Sequence, residues 1–292
     1  MPELPEVETI VRDLAKYLPG KTIKEIKVLN KKTFLTKPQS ATGRKINRVW
    51  RRGKQVIIDL AGDKHLIIHL KMTGQLIWQD KKKLIVGGHP ITGVGQILPN
   101  KFTRVIFKLS NGGQLFFNDV RKFGYIKLVS DQELESISTR LGLEPLTRGF
   151  NDKKLKIALA KQSKAPGRVP RPRAGKIKPA LLDQTKVVGI GNIYADESLW
   201  LAKILPTRTI ASLKDKEWTA LAKAIVKVLR LSIAHRGTSF SDYRDAQGSV
   251  GNFIKKLKVY GRHQEACRRC RNIIKKAKLG GRGTHWCEKC QK

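Results

Sequence analysis

Apolar residues recur along the chain with two different periods, and the change from one to the other divides it. Over residues 6–18, Val7, Ile10, Val11, Leu14 and Leu18 repeat at the spacing of one helix face, and Pro19-Gly20 ends the run. Beyond Gly20 the chain becomes strand-like. Short apolar stretches such as Val56-Ile57-Ile58-Asp59-Leu60, Leu66-Ile67-Ile68-His69-Leu70 and Val105-Ile106-Phe107 alternate with turn-rich segments. Asn111-Gly112-Gly113 predicts a hairpin between a strand ending near Leu109 and a second over residues 114–117. Residues 81–99 are Gly-rich, start with three lysines and read as a loop. Many short strands at this rhythm predict a β-sandwich or barrel with the first helix packed against it.

After about residue 131 the period becomes helical. Residues 153–161 form a short basic segment, and residues 161–178 carry seven Lys/Arg and three prolines. Helices are predicted over 177–184 and 193–202, flanking a turn at Gly189-Ile190-Gly191, and over 212–235, where Ser212 and Asp215 have capping-box spacing. Gly237-Thr238-Ser239-Phe240-Ser241 is polar and turn-prone and predicts a loop. The expected organisation is α+β. A β-sandwich with a terminal helix occupies 1–135, a helical domain 136–250, and a cysteine-bearing hairpin 251–292.

Charge narrows the function. The 292 residues hold 60 Lys+Arg against 23 Asp+Glu, a formal charge of +37. A surplus of this size implies a polyanionic partner, nucleic acid first and an anionic membrane surface second. No apolar run approaches the roughly 18 residues of a membrane span, and the first eight residues offer three carboxylates where a secretory leader needs a basic start. A cytoplasmic protein is expected.

The four cysteines stand as Cys267-x2-Cys270-x16-Cys287-x2-Cys290. Two such pairs supply a tetrahedral thiolate site for one structural zinc on a β-hairpin, with no open coordination position. A redox dithiol pair is the lesser alternative. The hairpin carries Arg268, Arg269, Arg271, Lys275, Lys276, Lys278 and Arg282, which makes it a nucleic-acid-facing device.

Other candidates read two ways. Gly189-Ile190-Gly191-Asn192 is either a packing turn or a phosphate clamp at a helix N-terminus. Lys54 stands at the mouth of a strand, where a solvated lysine is the ordinary outcome. Met72 and Phe123 sit at strand–turn junctions, either as core residues or as wedges that enter a base stack. At the N-terminus, Pro2 and Pro5 stiffen a helix entry that Glu6 and Glu8 favour electrostatically. Alternatively, removal of Met1 exposes the Pro2 amine beside Glu3 as a Schiff-base nucleophile with an acid/base partner.

Taken together and in order, Met1–Glu8, Arg52-Gly53-Lys54, the stretches 69–74, 119–124, 177–184 and 189–197, Val259-Tyr260-Gly261-Arg262 and the cysteine hairpin resemble the formamidopyrimidine-DNA glycosylases, bacterial enzymes that excise oxidised purines. The resemblance covers nearly the whole chain. It implies a helix–two-turn–helix domain, a monomer acting on damaged double-stranded DNA, and glycosylase chemistry followed by β,δ-elimination. It implies Pro2 as nucleophile at C1′, Glu3 as general acid/base, Lys54 as phosphate contact and proton-transfer aid, and Arg282 as phosphate clamp. Met72, Arg121 and Phe123 would fill the void left by the flipped nucleotide, Lys178 and Asn192 would contact phosphate, and a lesion-capping loop would lie within 238–253.

The endonuclease VIII-like branch, which acts on oxidised pyrimidines, usually departs from Leu4 and Val7-Glu8-Thr9, so the purine branch is favoured. A noncatalytic zinc-hairpin binder of DNA or RNA would share the charge and cysteines but has no need of Pro2, Glu3 and Lys54 together. Phe102 and Arg104 stand where the family often has histidines, and Lys122 where some members have a second arginine. Residues 163–175 look like a basic insertion that adds nonspecific DNA affinity.

Overall fold

The first helix, α1 (Leu4–Leu14), starts where the Glu6 carboxylate accepts the Glu3 N–H at 2.9 Å. Pro5 occupies its first turn, where a missing N–H costs nothing. The helix therefore begins two residues before the periodic run and ends four before Leu18. Residues 15–18 continue as turns because Pro19 disfavours a helical residue before it. The Leu18 N–H still reaches the Leu14 carbonyl at 2.9 Å, which keeps Leu18 on the buried face.

The computed structural model describes residues 1–81, 84–88, 97–161, 175–238 and 252–292. The chain forms two units, Met1–Ser138 with His235–Ile254, and Thr139–Ala234 with Lys255–Lys292. In the first unit the strands are β1 (Ile23–Val28), β2 (Ile46–Arg52), β3 (Gln55–Leu60), β4 (Lys64–His69), β5 (Gly74–Gln79), β6 (Leu84–Gly88), β7 (Thr103–Leu109), β8 (Gln114–Asp119) and β9 (Tyr125–Ser130). They pair antiparallel in two sheets, ordered β1-β7-β8-β5-β6 and β2-β3-β4-β9. Alternate residues of both sheets, among them Val56, Ile58, Leu66, Ile68, Leu76, Trp78, Phe107 and Phe117, join Val7, Ile10, Val11 and Leu14 of α1 in one core. The outer face of the second sheet carries a smaller apolar cluster with Leu134 of α2 (Asp131–Thr139).

One stretch read as a loop is not one throughout. Within 81–99, β6 pairs along β5 from Gln79↔Leu84 to Gln75↔Gly88. Its glycines answer to crowding: a Cβ on Gly87 would lie 2.7 Å from Ile10, and Gly88, at φ +127°, would place one 2.6 Å from the Gly74 carbonyl. Composition alone made a close-packed edge strand look like a loop.

In the second unit, α3 (Asp152–Ala160) is capped by Asn151, whose side chain accepts the Lys154 N–H at 2.9 Å. It is followed by α4 (Ile177–Leu181), α5 (Asn192–Ala202) and α6 (Asp215–Ala234). Helix α4 is three residues shorter than expected, and Ser212 belongs to a 3₁₀ turn instead of capping α6. The cap of α6 is supplied from within, by Glu217 accepting the Lys214 N–H at 2.8 Å. The hairpin is β10 (Lys275–Leu279) paired with β11 (Arg282–Trp286) around Gly280-Gly281. No helix among the described residues is long and apolar enough to cross a membrane.

Candidate active site and nucleic-acid interface

The N-terminus of the first unit is a buried, charged corner. Pro2, Glu3, Glu6 and Lys54 are all buried. Burial pushes the Met1 α-amine, one residue before Pro2, below its ordinary value; the Glu3 and Glu6 carboxylates oppose that shift and the Lys54 ammonium adds to it. Lys54 reaches this corner because β2 and β3 meet in a two-residue turn, Gly53-Lys54, with Gly53 at φ +58°. Arg51 fixes the turn: its guanidinium donates to the Gly53 carbonyl at 2.9 Å and to Glu8 of α1 at 3.0 Å. The same corner holds the start of the chain segment after α6. Glu6 accepts both the N–H and the hydroxyl of Thr238, at 2.9 and 3.0 Å, and Arg236 pairs with Asp13. Residues 239–251, which include most of the expected lesion-capping loop, lie outside the described residues, as does nearly all of the basic insertion 163–175.

Behind Lys54 the sheet register aligns Gln55, His69 and Tyr125 across β3, β4 and β9. The His69 ring packs 5.7 Å from Tyr125, and its Nδ1 accepts the Lys71 N–H at 3.0 Å. Burial, with the Lys71 and Lys54 cations, pushes its pKa down to about 3, so the ring is neutral. The neighbourhood of Lys54 thus contains an acceptor and donor that hydropathy reading treated only as part of a strand.

Met72, Arg121 and Phe123 sit on two turns that one carboxylate ties together. Asp119 at the end of β8 is fully buried. It accepts the Thr73 hydroxyl from the first turn, and the N–H groups of Arg121 (3.1 Å) and Gly124 (2.7 Å) from the second. The Arg121 N–H also reaches the Thr73 hydroxyl at 3.1 Å. Gly124 is required there: a Cβ would come within 2.6 Å of the Phe117 ring. Met72 is 40% and Phe123 56% exposed, so neither serves the core. The Arg121 guanidinium lies 4.8 Å over the Phe123 ring. Arg104, where the family often has histidine, donates to the Asp119 carbonyl at 2.8 Å and so braces the same strand end. The Phe102 carbonyl accepts the Asp119 N–H at 2.9 Å.

In the second unit, Lys178 and Asn192 converge on the hairpin turn. Lys178 is completely buried; its ammonium lies 2.6 Å from Asp196 and donates to the Gly283 carbonyl (3.0 Å) and the Thr284 hydroxyl (2.8 Å). Asn192, first residue of α5, donates to the same Gly283 carbonyl at 2.9 Å. Asp196 accepts the His285 N–H at 2.9 Å. These contacts seat Arg282, which is exposed at the start of β11. The Gly189–Gly191 turn is shaped by Gln184, whose amide bridges the Gly189 N–H and the Ile190 carbonyl, at 2.9 and 2.8 Å.

The four cysteine sulfurs lie within 4.8 Å of one another, with Cys270–Cys287 at 3.4 Å and Cys267–Cys290 at 3.9 Å. A tetrahedral site with Zn–S bonds of about 2.3 Å needs sulfurs about 3.8 Å apart, so the set fits one zinc ion. Burial and the neighbouring thiols push Cys290 up to about 12, and binding a metal there releases that proton. Cys267 and Cys287 also pack with Trp200, Val259 and Ile274 in a small core, so the ion closes a structure and leaves no position for substrate. Glu197 accepts the N–H groups of Lys258, Val259 and Tyr260 at 2.8–3.0 Å and ties that segment to α5.

Three family models match in sequence: the formamidopyrimidine-DNA glycosylase N-terminal domain over residues 1–126, the H2TH domain of that glycosylase over 141–244, and the zinc finger found in FPG and IleRS over 264–292. The formamidopyrimidine-DNA glycosylase of Desulfitobacterium hafniense (strain DSM 10664 / DCB-2) is 41% identical over 280 residues, 92% of each chain. That of Herpetosiphon aurantiacus is 39% identical over 276 residues, again 92% of each. Among solved structures, the Lactococcus lactis Fpg in complex with abasic-site DNA is 35% identical, with a TM-score of 0.83 over 99% of both chains. The wild-type L. lactis protein bound to DNA with an oxidised pyrimidine is 36% identical, with a TM-score of 0.82. The chain belongs to the formamidopyrimidine-DNA glycosylase family of DNA-repair enzymes, with the zinc-binding four-cysteine hairpin of that family.

Proposed function

We propose that this chain is a bifunctional base-excision enzyme that removes oxidised purines, 8-oxoguanine and formamidopyrimidines, from double-stranded DNA and then cleaves the strand as an AP lyase. With Met1 removed, the Pro2 amine attacks C1′ of the extruded nucleotide as the bond to the base breaks. Glu3 exchanges protons at the sugar, and the departing base carries the electron pair away. The resulting iminium makes the C2′ proton acidic, so that β- and then δ-elimination expel the two flanking phosphates and water finally releases Pro2. Lys54 contacts phosphate and aids proton transfer, and Arg282 clamps phosphate, each on the unit that carries it. Met72, Arg121 and Phe123 occupy the place of the extruded nucleotide, whose unstacking costs a few kcal/mol and least for damaged pairs. Asn192 supports the phosphate contact, and Lys178 enters this reading through the hairpin turn it holds. One enzyme molecule acts as a monomer in the cytoplasm, and the +37 charge supplies the nonspecific affinity for DNA.

The observation that carries this reading is the buried N-terminal corner, where Pro2 lies among the buried Glu3, Glu6 and Lys54 and where burial already shifts the Met1 amine toward its neutral form. A mere helix entry needs no such environment. Borohydride should trap a covalent complex between the processed protein and duplex DNA bearing 8-oxoguanine opposite cytosine; absence of any trapped species sinks the proposal. The related L. lactis complex with an oxidised pyrimidine motivates a second reading, a broader substrate range. Trapping on a duplex with an oxidised pyrimidine, at a rate matching 8-oxoguanine, would favour it.

A further inference from the structure

The outer side of α6 is built unlike a solvated helix face. Lys223, Lys227 and Arg230 recur at helical spacing, exposed, and have no carboxylate partner among the described residues. Beside them opens a groove of about 720 Å³, lined by Phe150, Ala222, Val226 and Leu231 as well as the cations. Leu231 is 42% exposed on a helix that otherwise buries Leu221, Ile225, Val228 and Leu229. The one carboxylate lining the groove, Asp152, is already engaged by the Thr219 hydroxyl and the Lys153 N–H. The capped start of α3 makes that rim a fixed wall.

We infer that this groove docks an acidic peptide segment of a partner protein, with one large apolar residue seated over Val226 and Leu231 and carboxylates paired with Lys223, Lys227 and Arg230. Charge selects the occupant. A second copy of a chain with net charge +37 is repelled, and residues 162–174 of this chain carry four Lys/Arg and no acid. Duplex DNA would use the cations but leave the apolar floor uncovered, and none of the residues assigned to DNA lines the groove. An apolar floor edged by unpaired cations matches a segment that offers both chemistries, the pattern of helix-in-groove recognition.

The probe is a fluorescein-labelled amphipathic peptide with glutamates on one face and leucine and phenylalanine on the other. A control peptide of equal charge has serine at the apolar positions. At physiological salt the full-length, zinc-loaded protein should bind the first about tenfold or more tighter than the control, since burying one large side chain is worth at least that factor. Leu231→Ser and Lys227→Glu should each lower peptide affinity several-fold while leaving zinc content, melting temperature and cleavage of 8-oxoguanine duplex unchanged. Peptide binding should persist on protein saturated with duplex DNA. Equal binding of the two peptides, displacement of the peptide by DNA, or loss of DNA affinity in Lys227→Glu with peptide affinity intact would each overturn the assignment.

Discussion

Lys178 and Asp196 form an ion pair at 2.6 Å with neither side chain exposed to solvent, and both partners extend the pair to the strand that carries Arg282. A lysine buried this completely is tolerable only because a carboxylate, a carbonyl and a hydroxyl surround its ammonium. Lys178→Met should therefore destabilise the protein by about 3–5 kcal/mol, the range for breaking a buried pair from one side. Lys178→Met combined with Asp196→Leu should cost less than the sum of the single changes. Urea denaturation of zinc-loaded protein measures this. Were Lys178 chiefly a phosphate contact, the single variant would lose DNA affinity at unchanged stability.

Asp119 plays the equivalent part for Met72, Arg121 and Phe123. Hydrogen bonds to a charged group contribute about 1.5–3 kcal/mol each, and Asp119 accepts three from the two turns. Asp119→Ala should slow excision as much as the Met72→Ala/Phe123→Ala double variant does. Stopped-flow fluorescence of 2-aminopurine beside the lesion should show the loss at the extrusion step. Wild-type extrusion in Asp119→Ala would mean that the turns hold their shape without it.

The N-terminal corner predicts a pH profile. The nucleophile is the neutral amine, so trapping should rise with pH through the amine pKa. Burial at this corner already lowers the Met1 amine, and the same desolvation acting on the Pro2 amine should bring the plateau to lower pH than for a solvent-exposed prolyl amine. Lys54 depresses the Met1 amine and by the same repulsion should depress the Pro2 amine, so in Lys54→Met the residual rising limb should move to higher pH. Arg51→Met frees the Gly53-Lys54 turn from Glu8 and should slow trapping about tenfold or more through misplacement, with duplex affinity within about twofold. Retention of Met1 turns the Pro2 nitrogen into an amide and should abolish trapping while zinc and DNA binding survive.

Two histidines set opposite limits on stability. His69 has its pKa pushed down to about 3 by burial and by Lys71 and Lys54. The unfolded chain takes up this proton near pH 6.5 and the folded one does not, so stability falls as pH drops from 6.5 toward 3, by at most about 1.4 kcal/mol per pH unit. His69→Gln should flatten that slope. His65 lies between Asp59 (2.7 Å) and Asp131 (2.5 Å); burial opposes its protonation, but the two carboxylates outweigh it and raise the pKa. Its contribution is complete below the unfolded value of 6.5 and is lost as pH rises through the raised value, so His65→Gln should matter most in acid. Denaturation midpoints from pH 4 to 8 test both signs.

Local pattern determined a large share of this protein. The spacing of Val7, Ile10, Val11 and Leu14 gave a helix, alternation gave most strands, and Asn111-Gly112-Gly113 gave its hairpin, because backbone geometry and the burial of one face act over a few residues. Four cysteines in two short pairs specified a zinc site for the same reason: the ligand set is written in the spacing. Tertiary structure decided what each remaining side chain faces. Whether Phe123 is core or wedge depends on Asp119 and Thr73, which meet across two separate turns. Whether Lys178 is solvated depends on Asp196, Gly283 and Thr284, which no periodicity connects to it. Strand β6 was hidden because its glycines serve close approach to Ile10 and Gly74, a property of packed surfaces. Proximity across the chain sets burial, and burial sets charge state.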